Sequence, residues 1–516
     1  MIRRLKNTPW SGWYPALILG SLLVVTGIIV ACSSGSAPVA SGMAKVHVTL
    51  SDPATCAAPD GPYSAVWVTV TDVQANIISS AGSGDSGWVD LTPNLTKNGQ
   101  AVQVNLLGEA NNQCFLADLG DNLELQAGSY GQIRLILADT TAGLTLTTNA
   151  GADPAMSSTD QCQGVGAANC VVVGSGNSAQ TYPLQLSSQA KTGLKIPPGQ
   201  IAGGAFTISA GQTKDLNIDF NTCESIVQQG NGNYRLKPVL HAAEVGTTSA
   251  SLNGTVLDAL GHPVAGAMVA LEQPDSADPT IDRIVQSAIT SADGTWVLCP
   301  VTGGNPATPY DVVIVGSDAQ GVMLSPAVVT GVTPGSTLGT VTLSTPSSLG
   351  TPLTAATSVA SLTGQMDTTS STNSGVSMDV TAYGLELVNG QTYTIPLPMT
   401  ATQNSGSLWL NLQTAANQTP ACKDANNFCA NYTVELPVTA AFYGAWSSGG
   451  VTLTQPSSAF ASYVIDGIAG PASDTSITPA GTTGCTPNEM QSAAVALTSS
   501  TTYPAAVPEL DFTSCQ

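Results

Sequence analysis

Short runs in which apolar and polar residues alternate, broken by glycine-, serine- and asparagine-rich turns, govern what this chain can become. Lys45-Val46-His47-Val48-Thr49-Leu50 is the first. Val66-Trp67-Val68-Thr69-Val70, Val102-Gln103-Val104-Asn105-Leu106, Gln132-Ile133-Arg134-Leu135-Ile136-Leu137 and Lys214-Asp215-Leu216-Asn217-Ile218-Asp219-Phe220 follow. A strand points successive side chains to opposite faces, so period two makes one face apolar and the other polar. Strands of this kind join through short turns into antiparallel sheets with one buried face. The fold class expected is all-β: tandem antiparallel β-sandwich domains. One short helix, Cys223 to Gln228, is expected before Gly230-Asn231-Gly232.

Composition agrees. Charged residues make up only 9 % of the chain, whereas long surface helices lean on Glu and Lys. At 516 residues the chain exceeds a single core, and three domains are expected. The formal charge is −21. That excludes nucleic acid as a partner, because phosphate contacts need Lys and Arg. It also disfavours docking on anionic headgroups.

The first 31 residues follow a different rule. Arg3, Arg4 and Lys6 form a basic head, an apolar run spans Ala16 to Val30, and Ile29-Val30-Ala31-Cys32-Ser33-Ser34 closes the segment. Basic head, apolar middle and small residue at the cut are the layout of a secretory signal. With its cysteine, the segment resembles the lipobox of bacterial lipoproteins. That resemblance implies that residues 1–31 are removed and that Cys32 carries a diacylglyceryl group and a palmitate-type acyl chain. The competing reading is an uncleaved anchor, but the apolar run is about 15 residues where a span needs nearer 20. Removing the signal deletes three basic residues and no acidic one, which takes the net charge to about −24. Ser33 and Ser34 lack the aspartate that retains many lipoproteins at an inner membrane, so a periplasmic or surface-exposed place at the outer membrane is expected.

Eleven cysteines are present, and assigning Cys32 to the lipid leaves an even ten, which reads as disulfides in an exported chain. Proximity suggests Cys162–Cys170, Cys422–Cys429 and Cys485–Cys515, and Cys56–Cys223 would tie the start of a domain to its end. Cys114 and Cys299 are then left, either joined across two domains or free. No spacing reads as a zinc site.

Residues 32–43 are small and polar and read as a tether. The segment 44–245 carries Val48-Thr49-Leu50-Ser51-Asp52, Val66-Trp67-Val68-Thr69-Val70, Gly87-Trp88, Ala127-Gly128-Ser129-Tyr130, Lys191-Thr192-Gly193-Leu194-Lys195, Ala210-Gly211-Gln212-Thr213 and Leu236-Lys237-Pro238-Val239. It resembles domain-of-unknown-function family 4382, found in bacterial lipoproteins, which implies architecture and address but no activity. The segment 250–345 carries Asn253-Gly254-Thr255-Val256, Gly261-His262-Pro263-Val264-Ala265-Gly266-Ala267 and Ser291-Ala292-Asp293-Gly294-Thr295-Trp296. It resembles the carboxypeptidase regulatory-like domain, a transthyretin-like β-sandwich. Asp293-Gly294 is a hairpin signal that carries Trp296 into the core. Lysine–asparagine crosslinks of related surface modules are excluded here, because no lysine lies between Lys237 and Lys423. Residues 346–358 read as a linker. Residues 359–516 form a further β domain of no recognised family. Within it Tyr393-Thr394-Ile395-Pro396-Leu397-Pro398 echoes Tyr432-Thr433-Val434-Glu435-Leu436-Pro437 at an offset of 39, with the prolines pointing to edge strands.

Catalytic motifs are wanting. Gly84-Asp85-Ser86-Gly87 resembles the nucleophile motif of trypsin-like proteases, but Trp88 follows it and the companion motifs are missing. His47, His241 and His262 sit in no HExxH or Ser–His pattern. Asp118, Asp121 and Glu124 read as a solvated face. Trp67 and Trp296 fit core positions, whereas Trp88 and Trp446 are candidate surface aromatics. The function expected is a membrane-anchored cell-envelope lipoprotein with a non-catalytic structural, adhesive or ligand-presenting role, not an enzyme and without metal or cofactor. The alternative is a carbohydrate-binding surface module. Expected partners are the membrane, through the lipid on Cys32, and envelope or external polysaccharide or another envelope protein.

Overall fold

The computed structural model describes residues 42–516 except 52–62, 80, 109–116, 149–154, 175, 187–192, 197–199, 202–204, 221, 229–232, 237–239, 246–250, 276–277, 299–300, 302–307, 371–374, 399–407, 415–417, 425, 473–477 and 482–483. Cys32, Cys56, Cys114 and Cys299 lie outside the described residues, as does the side chain of Cys223. The described chain is all-β, built from several packed sheets with almost no helix. Among the described residues no helix is long and apolar enough to cross a membrane.

In the first part, a four-stranded sheet packs on an eleven-stranded one. Met43–Ser51 sends Val46, Val48 and Leu50 inward, each at most 1 % exposed. Tyr63–Asn76 answers with Val66, Val68 and Val70 from the larger sheet. Alternation dictates both strands, but not their partners. Met43–Ser51 pairs antiparallel with Ala117–Gln126 and parallel with Thr213–Phe220. A buried hydrogen-bond ladder of small polar residues zips that parallel pair. Thr49 donates to Asn217 Oδ1 (3.0 Å), Asn217 Nδ2 donates to Ser51 Oγ (2.7 Å), and Ser51 donates to Asp219 (3.3 Å).

The sheets are therefore mixed rather than purely antiparallel. Parallel pairs also join Leu252–Asp258 to Thr337–Leu343 and Val359–Ser370 to Leu510–Cys515. A parallel pair needs a long crossover, so its partners are remote in sequence and leave no turn signal.

A three-stranded sheet, Leu252–Asp258 between Thr295–Leu298 and Thr337–Leu343, covers one face of a twelve-stranded sheet. Gly294 takes φ +78° in the predicted hairpin, and Trp296 is buried at 4 % exposure. In the twelve-stranded sheet the stretches Met268-Val269-Ala270-Leu271 and Val312-Val313-Ile314-Val315 read as continuous apolar runs, because both faces are covered. Val269, Leu271, Val312 and Ile314 face the three-stranded side. Ala270, Val313 and Val315 enter a second core with Leu362, Ile395, Leu436 and Tyr463. The same sheet passes from Ile281–Ile289 to Gln391–Ile395 through the parallel pair Ile281↔Thr392, and from Ala327–Val332 to Phe442–Ser447 through Ala327↔Phe442. A five-stranded sheet centred on Val359–Ser370 closes the second core.

Three local expectations change. The helix expected over Cys223–Gln228 is a single turn, Thr222–Ser225, and Ile226–Gln228 is a strand paired with Tyr234–Leu236. A helix over Pro93–Asn98 was not expected. Proline starts it, and Gly99, at φ 60°, closes it by donating to the Leu95 and Thr96 carbonyls. The echoed tyrosines, Tyr393 and Tyr432, are both buried, on the two sheets that share the second core. Gln391–Ile395 has neighbours on both sides, so it is no edge strand; Pro396 is tolerated because it follows the strand's end.

Candidate functional site

Among the described residues three disulfides are formed. Cys162–Cys170 (S–S 1.99 Å) closes the turn Gln163–Val165 onto the strand Cys170–Val173. Cys422–Cys429 (2.13 Å) and Cys485–Cys515 (2.04 Å) hold the C-terminal part. Trp88 is half-buried: its indole N–H donates to the Gly82 carbonyl (3.0 Å), and the Arg134 guanidinium lies 4.0 Å over its ring. Trp446 is also half-buried, packed against the core around Trp296. Both candidate surface aromatics thus reach the surface only in part. Trp67 is half-buried rather than a core residue, since Val66, Val68 and Val70 occupy the inward face.

His47 and His262 are engaged by carboxylates, and the buried Nδ1 of His241 has no hydrogen-bond partner. His47 Nε2 lies 3.2 Å from Asp118 and Nδ1 3.3 Å from Asp215, with Asp121 opposite it in register. The hydrogen bond to Asp118 raises the His47 pKa, against the opposing effect of burial. Both ring nitrogens face carboxylates, so neither is placed to activate a nucleophile. Burial pulls His241 down to about 4, which keeps it neutral. His262 sits in a turn, 3.1 Å from Asp258. Gly84-Asp85-Ser86-Gly87 is an exposed loop, in which Asp85 accepts the Gly82 N–H at 2.8 Å.

Ionisable groups concentrate instead where the two halves of the twelve-stranded sheet join. Arg283 Nη1 and Nη2 each lie 2.6 Å from a carboxylate, Asp466 and Glu489 respectively, and Nε lies 3.4 Å from Asp275. Burial pushes the Asp466 carboxyl up despite the guanidinium beside it. Nearby, Glu272 is fully buried and accepts the Thr394 N–H at 3.1 Å. Burial, then the neighbouring Asp282, pushes Glu272 well up. Asp282 itself is pushed up to about 7, by burial first and Asp311 second. Gln391 donates to Asp282 (2.7 Å) and Tyr393 donates to Asp311 (2.8 Å). The seam therefore combines a guanidinium held by three carboxylates with a buried acid, Glu272, that burial drives toward its neutral form, and both tie strands together.

A second acidic group lies at the C-terminal strand. Ligand oxygens of Asp367, Glu509 and Asp511 lie within 4.8 Å of one another. Asp367 stands opposite Asp511 in the parallel pair of Val359–Ser370 with Leu510–Cys515. Burial first, then Asp511, pushes the Asp367 carboxyl up. Lys423 pairs with Glu509. Sequence reading missed this group. Glu509 and Asp511 are two apart at the start of the last strand, but nothing local brings Asp367 to them.

No curated protein matches the chain. Among solved structures, the Bacillus anthracis TIE protein is 8 % identical; the match covers 80 % of this chain and 51 % of that one, with TM-score 0.15, so this chain spans about half of that protein's length. The shaft pilin SpaA from Lactobacillus rhamnosus GG is 9 % identical, covering 52 % of this chain and 97 % of that one, with TM-score 0.14. The streptococcal ancillary pilin is 8 % identical, covering 91 % and 98 %, with TM-score 0.15. At these scores the likenesses carry nothing about function. Residues 43–238 match the model of the family described as Domain of unknown function (DUF4382), in agreement with the resemblance read from that segment.

Proposed function

We propose that this chain is a lipid-anchored lipoprotein of the cell envelope, held to the membrane through Cys32, whose β-domains act as a non-catalytic structural element. The observation that carries the reading is where the charge goes. Among the described residues, the buried ionisable groups outside the first sandwich are largely spent clamping strands of the shared sheet, as Arg283 does with Asp466 and Glu489. An acid–base catalyst needs a group poised toward a reacting atom; His47 is engaged by carboxylates at both nitrogens. The resemblance of 250–345 to carboxypeptidase regulatory-like domains fits a scaffold module. Glycan binding is not favoured, because Trp88 and Trp446 are half-buried.

Cys32→Ser tests the anchoring directly. The wild-type chain is expected in the membrane fraction, and the variant is expected to leave it or to accumulate unprocessed. Unchanged fractionation and unchanged processing of the variant would refute the proposal.

A further inference from the structure

We propose that Asp367, Glu509 and Asp511 form a site for a hard divalent cation, calcium by preference, that pins the C-terminal strand Leu510–Cys515 to Val359–Ser370. Like charges directly opposite on paired strands repel. Here the register sets Asp367 against Asp511, and Glu509 joins them from the residue before the strand. Lys423 offers one ammonium to three carboxylates, through Glu509 and from a largely exposed position. Two acceptors are left over, and both are buried. Asp367 is 2 % exposed, and its Oδ1 has no hydrogen-bond partner, while Oδ2 accepts from Asn427 Nδ2 at 3.2 Å. Glu509 Oε1 is likewise buried without a partner. A buried carboxylate oxygen with no donor carries an uncompensated desolvation cost, which a metal ion removes.

The dimensions suit calcium. Calcium–oxygen bonds of about 2.3–2.6 Å place opposed ligand oxygens about 4.6–5.2 Å apart. The three carboxylates lie within 4.8 Å of one another. The donor set is oxygen only, which selects calcium, magnesium or manganese over zinc or copper. Magnesium keeps most of its water and favours one or two carboxylates, so three converging carboxylates favour calcium. Asp511 is exposed, which leaves room for water to complete the shell. The site lies one strand from the Cys422–Cys429 disulfide, since Cys429 is Asp367's other register partner, and Leu510–Cys515 ends in Cys515 of the Cys485–Cys515 bond. Cation and disulfides would act together on the last strand.

The test is calorimetric titration of the full chain in detergent with CaCl2 after EDTA treatment, repeated with MgCl2 and paired with thermal melts. Calcium is expected to bind with a dissociation constant of about 10⁻⁴–10⁻³ M, as in extracellular modules, and to raise the melting temperature more than magnesium does. Asp511→Asn, at an exposed position, is expected to weaken binding by roughly tenfold or more. Lys423→Met, which removes the competing ammonium, is expected to tighten it. Two results would overturn the proposal. One is no heat and no melting shift up to about 10 mM calcium, which would leave the carboxyls sharing a proton and the lysine. The other is a response that persists undiminished in Asp511→Asn, which would assign the binding to the diffuse acidic surface.

Discussion

Glu386 should make this protein lose stability as pH rises, and Glu386→Gln should remove that loss. The residue lies within the strand Met378–Val388 at 4 % exposure. Its Oε1 accepts the Ala441 N–H at 3.1 Å, and Oε2 has no partner. Burial pushes its pKa from 4.5 up to about 8. The folded chain therefore holds a proton that the unfolded chain has released. Stability contributed by the neutral carboxyl is present below the unfolded value and is lost as pH climbs toward the folded one. At 1.36 kcal/mol per pKa unit, the loss between pH 5 and pH 8 is on the order of 3–4 kcal/mol. Glutamine keeps the acceptor for Ala441 and cannot ionise. Its amide donors lack partners, which costs about 1–3 kcal/mol at every pH alike. The assay is urea unfolding of the full chain, followed by tryptophan fluorescence from pH 5 to pH 8. The variant's stability should fall by on the order of 3–4 kcal/mol less across that range than the wild type's. Parallel pH profiles for the two proteins would refute the reasoning.

Three further outcomes follow from the packing. Arg283→Met should cost roughly 3–5 kcal/mol in urea unfolding, because Asp466, with no side-chain exposure, would be left without its counter-ion; adding Asp466→Leu should recover much of the loss. Gly294→Ala should lower the melting temperature and cost about 1–3 kcal/mol, since the new Cβ would lie 2.4 Å from the Val256 carbonyl at a φ of +78°; an unchanged melting curve would contradict the turn assignment. Removing Cys485–Cys515, which spans 30 residues, should cost about 3.6 kcal/mol against about 2.5 for Cys162–Cys170, which spans 8, in paired Cys→Ser melts under identical conditions.

Strand identity was legible wherever one face meets water, as at Val46, Val48 and Leu50, because burial on one side imposes period two. It was less legible at Val312-Val313-Ile314-Val315, where both faces are covered and the run loses its alternation. Parallel partners such as Met43–Ser51 with Thr213–Phe220 were hidden, since no short turn joins them. The helix Pro93–Asn98 did carry a readable signal, proline at its start and Gly99 at its stop. The short disulfides followed from proximity. The Arg283 clamp and the Asp367–Asp511 pair could not be read, because register between remote strands, not spacing, brings them together. The half-burial of Trp88 depends on Arg134, from the strand Gln132–Leu137, lying over its ring.

Intact-mass and peptide mass spectrometry of the protein purified from membranes bears most directly on the anchoring at the centre of this account. The mature chain should begin at Cys32 and carry the added mass of a diacylglyceryl group. An N-terminal peptide that retains Met1, or an unmodified Cys32 in protein recovered from the soluble fraction, would contradict it.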